Sequence, residues 1–226
     1  TWGMIEPLLD VERGGLAVFA GLSGSGKTVS LYTSMNLLDP ERCNVVTVED
    51  PVELLRPGVT QIEVDSPRLG LTEAFSLARN MDPDVLMVGE LRPDTVRMVL
   101  RSYYDGCLTL TTAPSRSVLA TLTYLDSYSQ VGIRELIFPM VIVAQRLMRG
   151  LCKACREPVE LDERDLAFID QVLAESGRCR DDIGDQFHVA HGCRLCEGGY
   201  DGRIACYEAI QVDFEILDCV RTNRNP

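Results

Sequence analysis

The sequence predicts an α/β fold with a parallel central sheet, followed by a smaller cysteine-bearing subdomain. Three observations carry this prediction. Short apolar runs alternate with segments of helical periodicity over the first part of the chain, the pattern of strands joined by crossover helices. One such run leads into the glycine-rich stretch GLSGSGKT, residues 21–28, which itself opens a helical segment. Beyond residue 150 the alternation gives way to short elements punctuated by two Cys-x-x-Cys pairs.

The elements follow in order. Residues 16–20 (LAVFA) form a short apolar run suited to a strand buried on both faces. Residues 27–38 read as a helix closed by Asp39-Pro40. Residues 44–48 (NVVTV) are β-branched and strand-like. A helix over 72–80 has Thr72 as N-cap. Residues 85–88 (VLMV) are a second buried strand, and 94–104 place Val96, Val99, Leu100 and Tyr103 at helical spacing before Gly106. Residues 108–111 are again strand-like, and helices are expected over 117–127 and 133–148. A subdomain boundary falls between Gly150 and Cys152. This gives three segments: a core over 1–150, a cysteine subdomain over 151–212 and a C-terminal helix or tail over 213–226, the helix covering 213–220. Within the cysteine subdomain, residues 161–176 read as one amphipathic helix with Leu166, Ile169, Val172 and Leu173 as its stripe.

Composition bounds the function. The chain has 226 residues, enough for one α/β core and an appendage, and 46% of them are apolar, as in ordinary globular proteins. Charge interrupts every apolar stretch well before about 18 residues, so no membrane-spanning helix is expected. The opening TWGMIEPLLDVERGG lacks the basic and apolar regions of a secretory signal. A start on Thr1 rather than Met is expected of a piece of a longer protein. The net charge of −12 repels a phosphate backbone and argues against nucleic acid as the main partner. Nine cysteines beside a phosphate-binding loop point to a reducing compartment. Five of them, Cys43, Cys107, Cys179, Cys206 and Cys219, are scattered and are expected to be small buried apolar residues.

Gly21, Gly26, Lys27 and Thr28 satisfy the pattern G-x-x-x-x-G-K-[ST]. The loop Gly21, Ser23, Gly24, Ser25, Gly26, Lys27, Thr28 can wrap its backbone N–H groups around phosphates. Lys27 would reach the outer phosphates of a nucleoside triphosphate such as ATP, and the Thr28 hydroxyl would ligate Mg2+. The helix that follows adds its N-terminal dipole. Strand 44–48 runs into Glu49-Asp50-Pro51-Val52-Glu53, and strand 85–88 into Gly89-Glu90-Leu91-Arg92. Ligands of open parallel sheets lie beyond the carboxyl ends of the strands, so both acidic groups face the phosphates. Glu49 and Glu90 are therefore the candidate catalytic carboxylates alongside Lys27. The alternative for each is that it only caps a strand or pairs with Arg92.

Cys152-Lys-Ala-Cys155 and Cys193-Arg-Leu-Cys196 supply four thiolates, the donor set of a closed structural Zn2+ site. A thioredoxin-like redox pair would need one of these motifs to open a helix in its own βαβ unit. A nucleic-acid-binding ribbon conflicts with the acidic charge. His191 is an alternative ligand to one cysteine.

Taken together, GLSGSGKTVSLY, NVVTVEDPVE with PGVTQIEVD, GLTEAFSLARNMDPDVLMVGELR, VIVAQRLMRGLCKAC and GCRLCEGGYDGRIACYEAI resemble the secretion ATPases of type II secretion and type IV pilus assembly, in the same order and over nearly the whole chain. The resemblance implies a RecA-like P-loop NTPase core, a homo-hexameric ring and Mg-ATP hydrolysis. It also implies a structural zinc, an inner-membrane platform protein as partner, and peripheral attachment to the cytoplasmic face of the bacterial inner membrane. It makes Glu49, Asp50 and Glu53 an acidic box and Glu90 the Walker B carboxylate. Retraction motors generally lack the four cysteines.

Several positions depart from the family pattern. Pro114 stands where a histidine box S-T-hydrophobe-H-T has its histidine, and proline offers no donor. Pro93 follows Arg92 where aspartate is usual, Asn80-Met81 replaces R-Q, and the phosphate loop reads G-L-S rather than G-P-T. The family's N-terminal domain, which supplies arginines in trans, is not among these residues, so the chain alone is expected to be a poor ATPase. The departures keep two rival readings open. One is a nucleotide-binding regulatory subunit with slow turnover, and the other is a DNA-uptake motor.

Overall fold

The computed structural model describes residues 11–65, 68–129, 133, 138–184 and 186–222. They form two compact units. The larger comprises Thr1–Arg146 with Cys206–Pro226, and the smaller Leu147–Ala205. The expected segments 1–150, 151–212 and 213–226 therefore do not simply follow one another. The chain leaves the core at residue 147 and returns at 206, because the late strand β9 (Tyr200–Val212) joins the core sheet.

That sheet has seven strands in the order β3-β2-β4-β5-β1-β6-β9. The other strands of this sheet are β1 (Gly15–Ala20), β2 (Val45–Glu49), β3 (Thr60–Glu63), β4 (Val85–Val88), β5 (Leu108–Ala113) and β6 (Met140–Leu151), while β7 (Glu157–Val159) and β8 (Phe187–Val189) form a separate antiparallel pair. The pairs β1–β5, β1–β6, β2–β3, β2–β4 and β4–β5 are all parallel. β1, β2, β4 and β5 are buried at every position, which is why they read as unbroken apolar or threonine-bearing runs rather than as alternation.

The period of two is visible only in how the two faces divide. Leu16, Val18, Val46, Val48, Leu86 and Val88 pack on one side. This side is covered by α2 (Leu71–Asn80), α3 (Val96–Tyr104), α4 (Val118–Tyr128) and α6 (Phe214–Thr222), through Phe75, Tyr103, Leu122 and Leu217. Ala17, Phe19, Val45, Val85 and Met87 face the other side, against Leu31, Tyr32 and Met35 of α1 (Lys27–Met35). No helix among the described residues is long and apolar enough to cross a membrane.

Four expectations need correction. Residues 140–148, expected in a helix, lie in β6; residues 134–137 of that expected helix fall outside the described set. Met140 to Ala144 are buried on both faces beside β1, and the branched Val141, Ile142 and Val143 suit a pleated strand. The cap of α2 is Gly70 rather than Thr72. Three scattered cysteines, Cys179, Cys206 and Cys219, are exposed, on the smaller unit, the outermost strand β9 and α6; Cys43 and Cys107 are half-buried.

The fourth concerns the expected helix 161–176, which is α5 (Glu163–Glu175). It is capped by Asp162, whose carboxylate accepts from Asp165 N–H at 2.8 Å. Of its expected stripe only Leu173 is buried, while Val172 is exposed and Leu166 and Ile169 are half-buried. The smaller unit has too little apolar mass to close over them.

Candidate functional site

Parallel strands in register bring their carboxyl ends to one edge. Val48 pairs with Val88, Val88 with Thr111, and Ala20 with both Ala113 and Ala144. The residues that follow, Glu49, Gly89-Glu90, Gly21 and Gln145, therefore emerge together. Glu49 and Gly89-Glu90 line a cleft of about 190 Å3 together with Lys27, Thr28, Asp50 and Glu53.

The phosphate loop is shaped by its glycines. Gly24 and Gly26 have φ of 75° and 87°, in the left-handed region that side chains disfavour. A Cβ on Gly21 would stand 2.1 Å from Ser25 Oγ and 2.7 Å from Gln145 O, so only glycine fits there. Gln145 braces the loop from β6: its Nε2 donates to Ser25 O at 2.9 Å, and its Oε1 accepts from Ser30 Oγ at 2.9 Å. Ser23 and Gly24 are exposed, whereas Ser25 is buried and its Oγ has no hydrogen-bond partner among the described residues. An orphaned hydroxyl inside a loop of this shape fits a site built for a polar ligand.

Lys27 Nζ donates to Gly21 O at 2.9 Å and to Leu22 O at 3.4 Å, and lies 3.7 Å from Glu90 Oε1. Glu90 thus pairs with the phosphate-loop lysine and not with Arg92. Arg92 instead binds Asp50, Nη2 to Oδ2 at 2.9 Å, tying the turn after β4 to the turn after β2. Glu53 is exposed in the cleft lining. Thr112 Oγ1 donates to Gly89 O at 2.7 Å and holds the turn that presents Glu90. Pro114, exposed just past β5, lies outside the described cleft lining.

Glu49 is buried and accepts three hydrogen bonds. Tyr32 OH donates to its Oε2, while Thr47 Oγ1 and Gln61 Nε2 donate to its Oε1 at 2.7 and 3.0 Å. Burial, reinforced by the adjoining Glu49 carboxylate, pushes the Tyr32 phenol up to about 12, so it remains a donor. Sequence reading missed Tyr32, Thr47, Gln61 and Gln145. Only the register Thr47–Gln61 and the face shared with α1 bring the first three to Glu49.

In the smaller unit the sulfurs of Cys152, Cys155, Cys193 and Cys196 all lie within 4.8 Å of one another. Cys155–Cys196 and Cys193–Cys196 are both 3.6 Å apart. Tetrahedral Zn–S bonds of about 2.3 Å place sulfurs about 3.8 Å apart, so the donor set and its size fit Zn2+. Cys193 N–H donates to Cys196 Sγ at 3.3 Å and is the main cause that pulls this thiol down to about 7. Gly199, at φ 91°, lets the second knuckle approach Ala190, where a Cβ would stand 2.6 Å from Ala190 Cβ. Its carbonyl accepts from Cys152 N–H at 2.9 Å, joining the two knuckles. His191 is outside the cluster and pairs with Glu157 at 3.3 Å instead.

Comparison with known proteins follows the same lines. The family model described as "Type II/IV secretion system protein" matches residues 6–226. The chain belongs to this family. It is 35% identical over 217 residues to a type IV pilus assembly ATPase PilB of Acinetobacter baylyi, covering 93% of this chain and 36% of that protein. It is 34% identical over 206 residues to type II secretion system protein E of Pseudomonas aeruginosa, covering 88% of this chain and 39% of that protein. This secretion-family chain thus spans little more than a third of the curated relatives it matches. A solved structure of the pilus retraction motor PilT with bound ADP superposes with a TM-score of 0.62 at 21% identity, over 97% of this chain and 54% of that one. The shared fold is the RecA-like P-loop core with its parallel sheet.

Proposed function

We propose that this chain is the motor core of a Mg-ATP-hydrolysing subunit that powers assembly of a type II secretion pseudopilus or a type IV pilus. The observation that carries the reading is the Lys27–Glu90 pair at the mouth of a glycine-shaped loop, with Glu49 facing the same cleft. In this reading the N–H groups of loop 21–28 and the start of α1 hold the phosphates, and Lys27 neutralises the outer ones. The Thr28 hydroxyl would ligate the Mg2+ that arrives with ATP. Glu49 would take the proton of the attacking water, and Glu90, paired with Lys27, would help to hold the hydrated Mg2+, which would offset negative charge on the phosphates. Asp50 and Glu53 complete the acidic box.

The four cysteines would hold a structural zinc through four thiolates, a donor set that serves folding rather than chemistry. The names of the relatives support a pilus or secretion role. Ring assembly as a homo-hexamer, docking on a platform protein and residence on the cytoplasmic face of the inner membrane are part of the same proposal. Nucleic acid is left out of it, because a net charge of −12 opposes a phosphate backbone.

Glu90→Gln in the full-length protein is the test. Turnover of Mg-ATP is expected to fall by about a hundredfold or more while ATP affinity stays within a few-fold. Undiminished turnover would overturn the reading.

A second reading, a slow nucleotide-binding regulatory subunit, is favoured by Pro114, which brings no donor to the end of β5. Pro114→His is expected to raise turnover by at least about tenfold if a lost donor limits the rate. An unchanged rate measured beside wild type removes the idea that this position matters.

A further inference from the structure

Glu49 is held from three directions, and two of its partners also hold the acidic segment that follows it. Tyr32 sits on α1, the helix that begins with Lys27, and its hydroxyl both donates to Glu49 and accepts from Leu54 N–H at 3.3 Å. Gln61 sits on β3. Its Nε2 donates to Glu49 Oε1 at 3.0 Å and to Leu54 O at 3.0 Å, and its Oε1 accepts from Arg56 N–H at 2.7 Å. Both Nε2 hydrogens and one lone pair of Oε1 are therefore committed to Glu49 or to the backbone of residues 54–56.

Neither side chain is among those that line the cleft, whereas Glu49 is. None of the three groups bonded to Glu49, two hydroxyls and an amide, carries a positive charge. The interactions fix direction and rotamer, as a working carboxylate requires.

We infer that Tyr32 and Gln61 are positioning residues that clasp Glu49, coupling the phosphate-loop helix to the carboxylate that activates water. The inference rests on the reading of Glu49 as the base. Phosphates bind at the first turn of α1, and Tyr32 lies little more than one turn farther along the same rigid helix. Movement of that turn on nucleotide binding is thereby passed to Glu49 and to the segment 54–56 together. The elevated proton affinity of the Tyr32 phenol keeps it a donor across the working pH range.

The test uses the full-length protein with Tyr32→Phe, Gln61→Met and Glu49→Gln, alone and combined. Tyr32→Phe is expected to lower kcat by about ten- to a hundredfold with KM for Mg-ATP within about twofold, the mark of a misaimed group rather than lost binding. In the Glu49→Gln background, Tyr32→Phe is expected to add no further loss, because its effect runs through Glu49. Gln61→Met provides the same readout if Tyr32→Phe melts early.

Normal kcat in both Tyr32→Phe and Gln61→Met, with Glu49→Gln inactive, overturns the clasp and leaves the base intact. A rise in KM that accounts for the whole loss also overturns it, as does a loss that persists unchanged in the Glu49→Gln background. Wild-type turnover by Glu49→Gln overturns the base and the clasp together.

Discussion

Lys27→Ala is expected to abolish measurable Mg-ATP turnover and weaken ATP binding by at least about a hundredfold. The lysine is nearly buried, with 12% of its side chain exposed, and its ammonium already lies where loop carbonyls and Glu90 converge. Two charge-assisted hydrogen bonds to phosphate oxygens would contribute about 1.5–3 kcal/mol each, and about 1.4 kcal/mol corresponds to tenfold in affinity. Folding should hardly change. Glu90, the partner left behind, is 45% exposed, and water replaces the lysine at little cost. Nucleotide titration, steady-state turnover and a thermal melt on the same samples separate these effects. Turnover that survives the substitution would mean that the phosphate loop is not the engine, whatever its shape.

The second large effect is expected at the cysteine cluster. Cys196→Ser, or exhaustive chelation, should remove about one zinc per chain and unfold residues 152–199 of the smaller unit while leaving the larger unit folded. Among the described residues of that unit, Cys152 and Leu173 are the only buried apolar side chains. Two side chains do not make a core, and units of this size generally need a metal or a disulfide. Structural zinc binding supplies about 10–16 kcal/mol, much more than the ordinary stability of a small domain. Metal content before and after chelation, with limited proteolysis mapped to residues 147–205, reads the outcome. A unit that stays protease-resistant without metal would show that the four sulfurs are not what holds it.

The two predictions differ in how much of their basis can be read from the chain. The shape of the glycine-rich loop was legible because its geometry is local. Gly24 and Gly26 need left-handed backbone, Gly21 needs an absent Cβ, and Lys27 and Thr28 follow at fixed offsets on one helix. The two Cys-x-x-Cys knuckles were legible for the same reason. The acidic clusters after β2 and β4 were legible because parallel strands all end at the same edge.

The segment 140–148 was misread because periodicity distinguishes helix from strand only when one face is wet, and β6 begins buried on both. β3 and β9 carry weak apolar signals as exposed or outer strands of the sheet and gave no warning.

The sequence by itself determined which groups are available: a glycine-rich loop ending in Lys27-Thr28, carboxylates at two strand ends, four thiols in two pairs and an alternating α/β order. Tertiary structure decided which of them meet. It paired Lys27 with Glu90 and Arg92 with Asp50, left His191 outside the sulfur cluster, and turned Tyr32, Thr47 and Gln61 onto Glu49. The physical reason is that these contacts depend on strand register and on which sheet face a helix covers. A shift of one residue in β3 against β2 would turn Gln61 to the opposite face, away from Glu49, with no change in the local sequence.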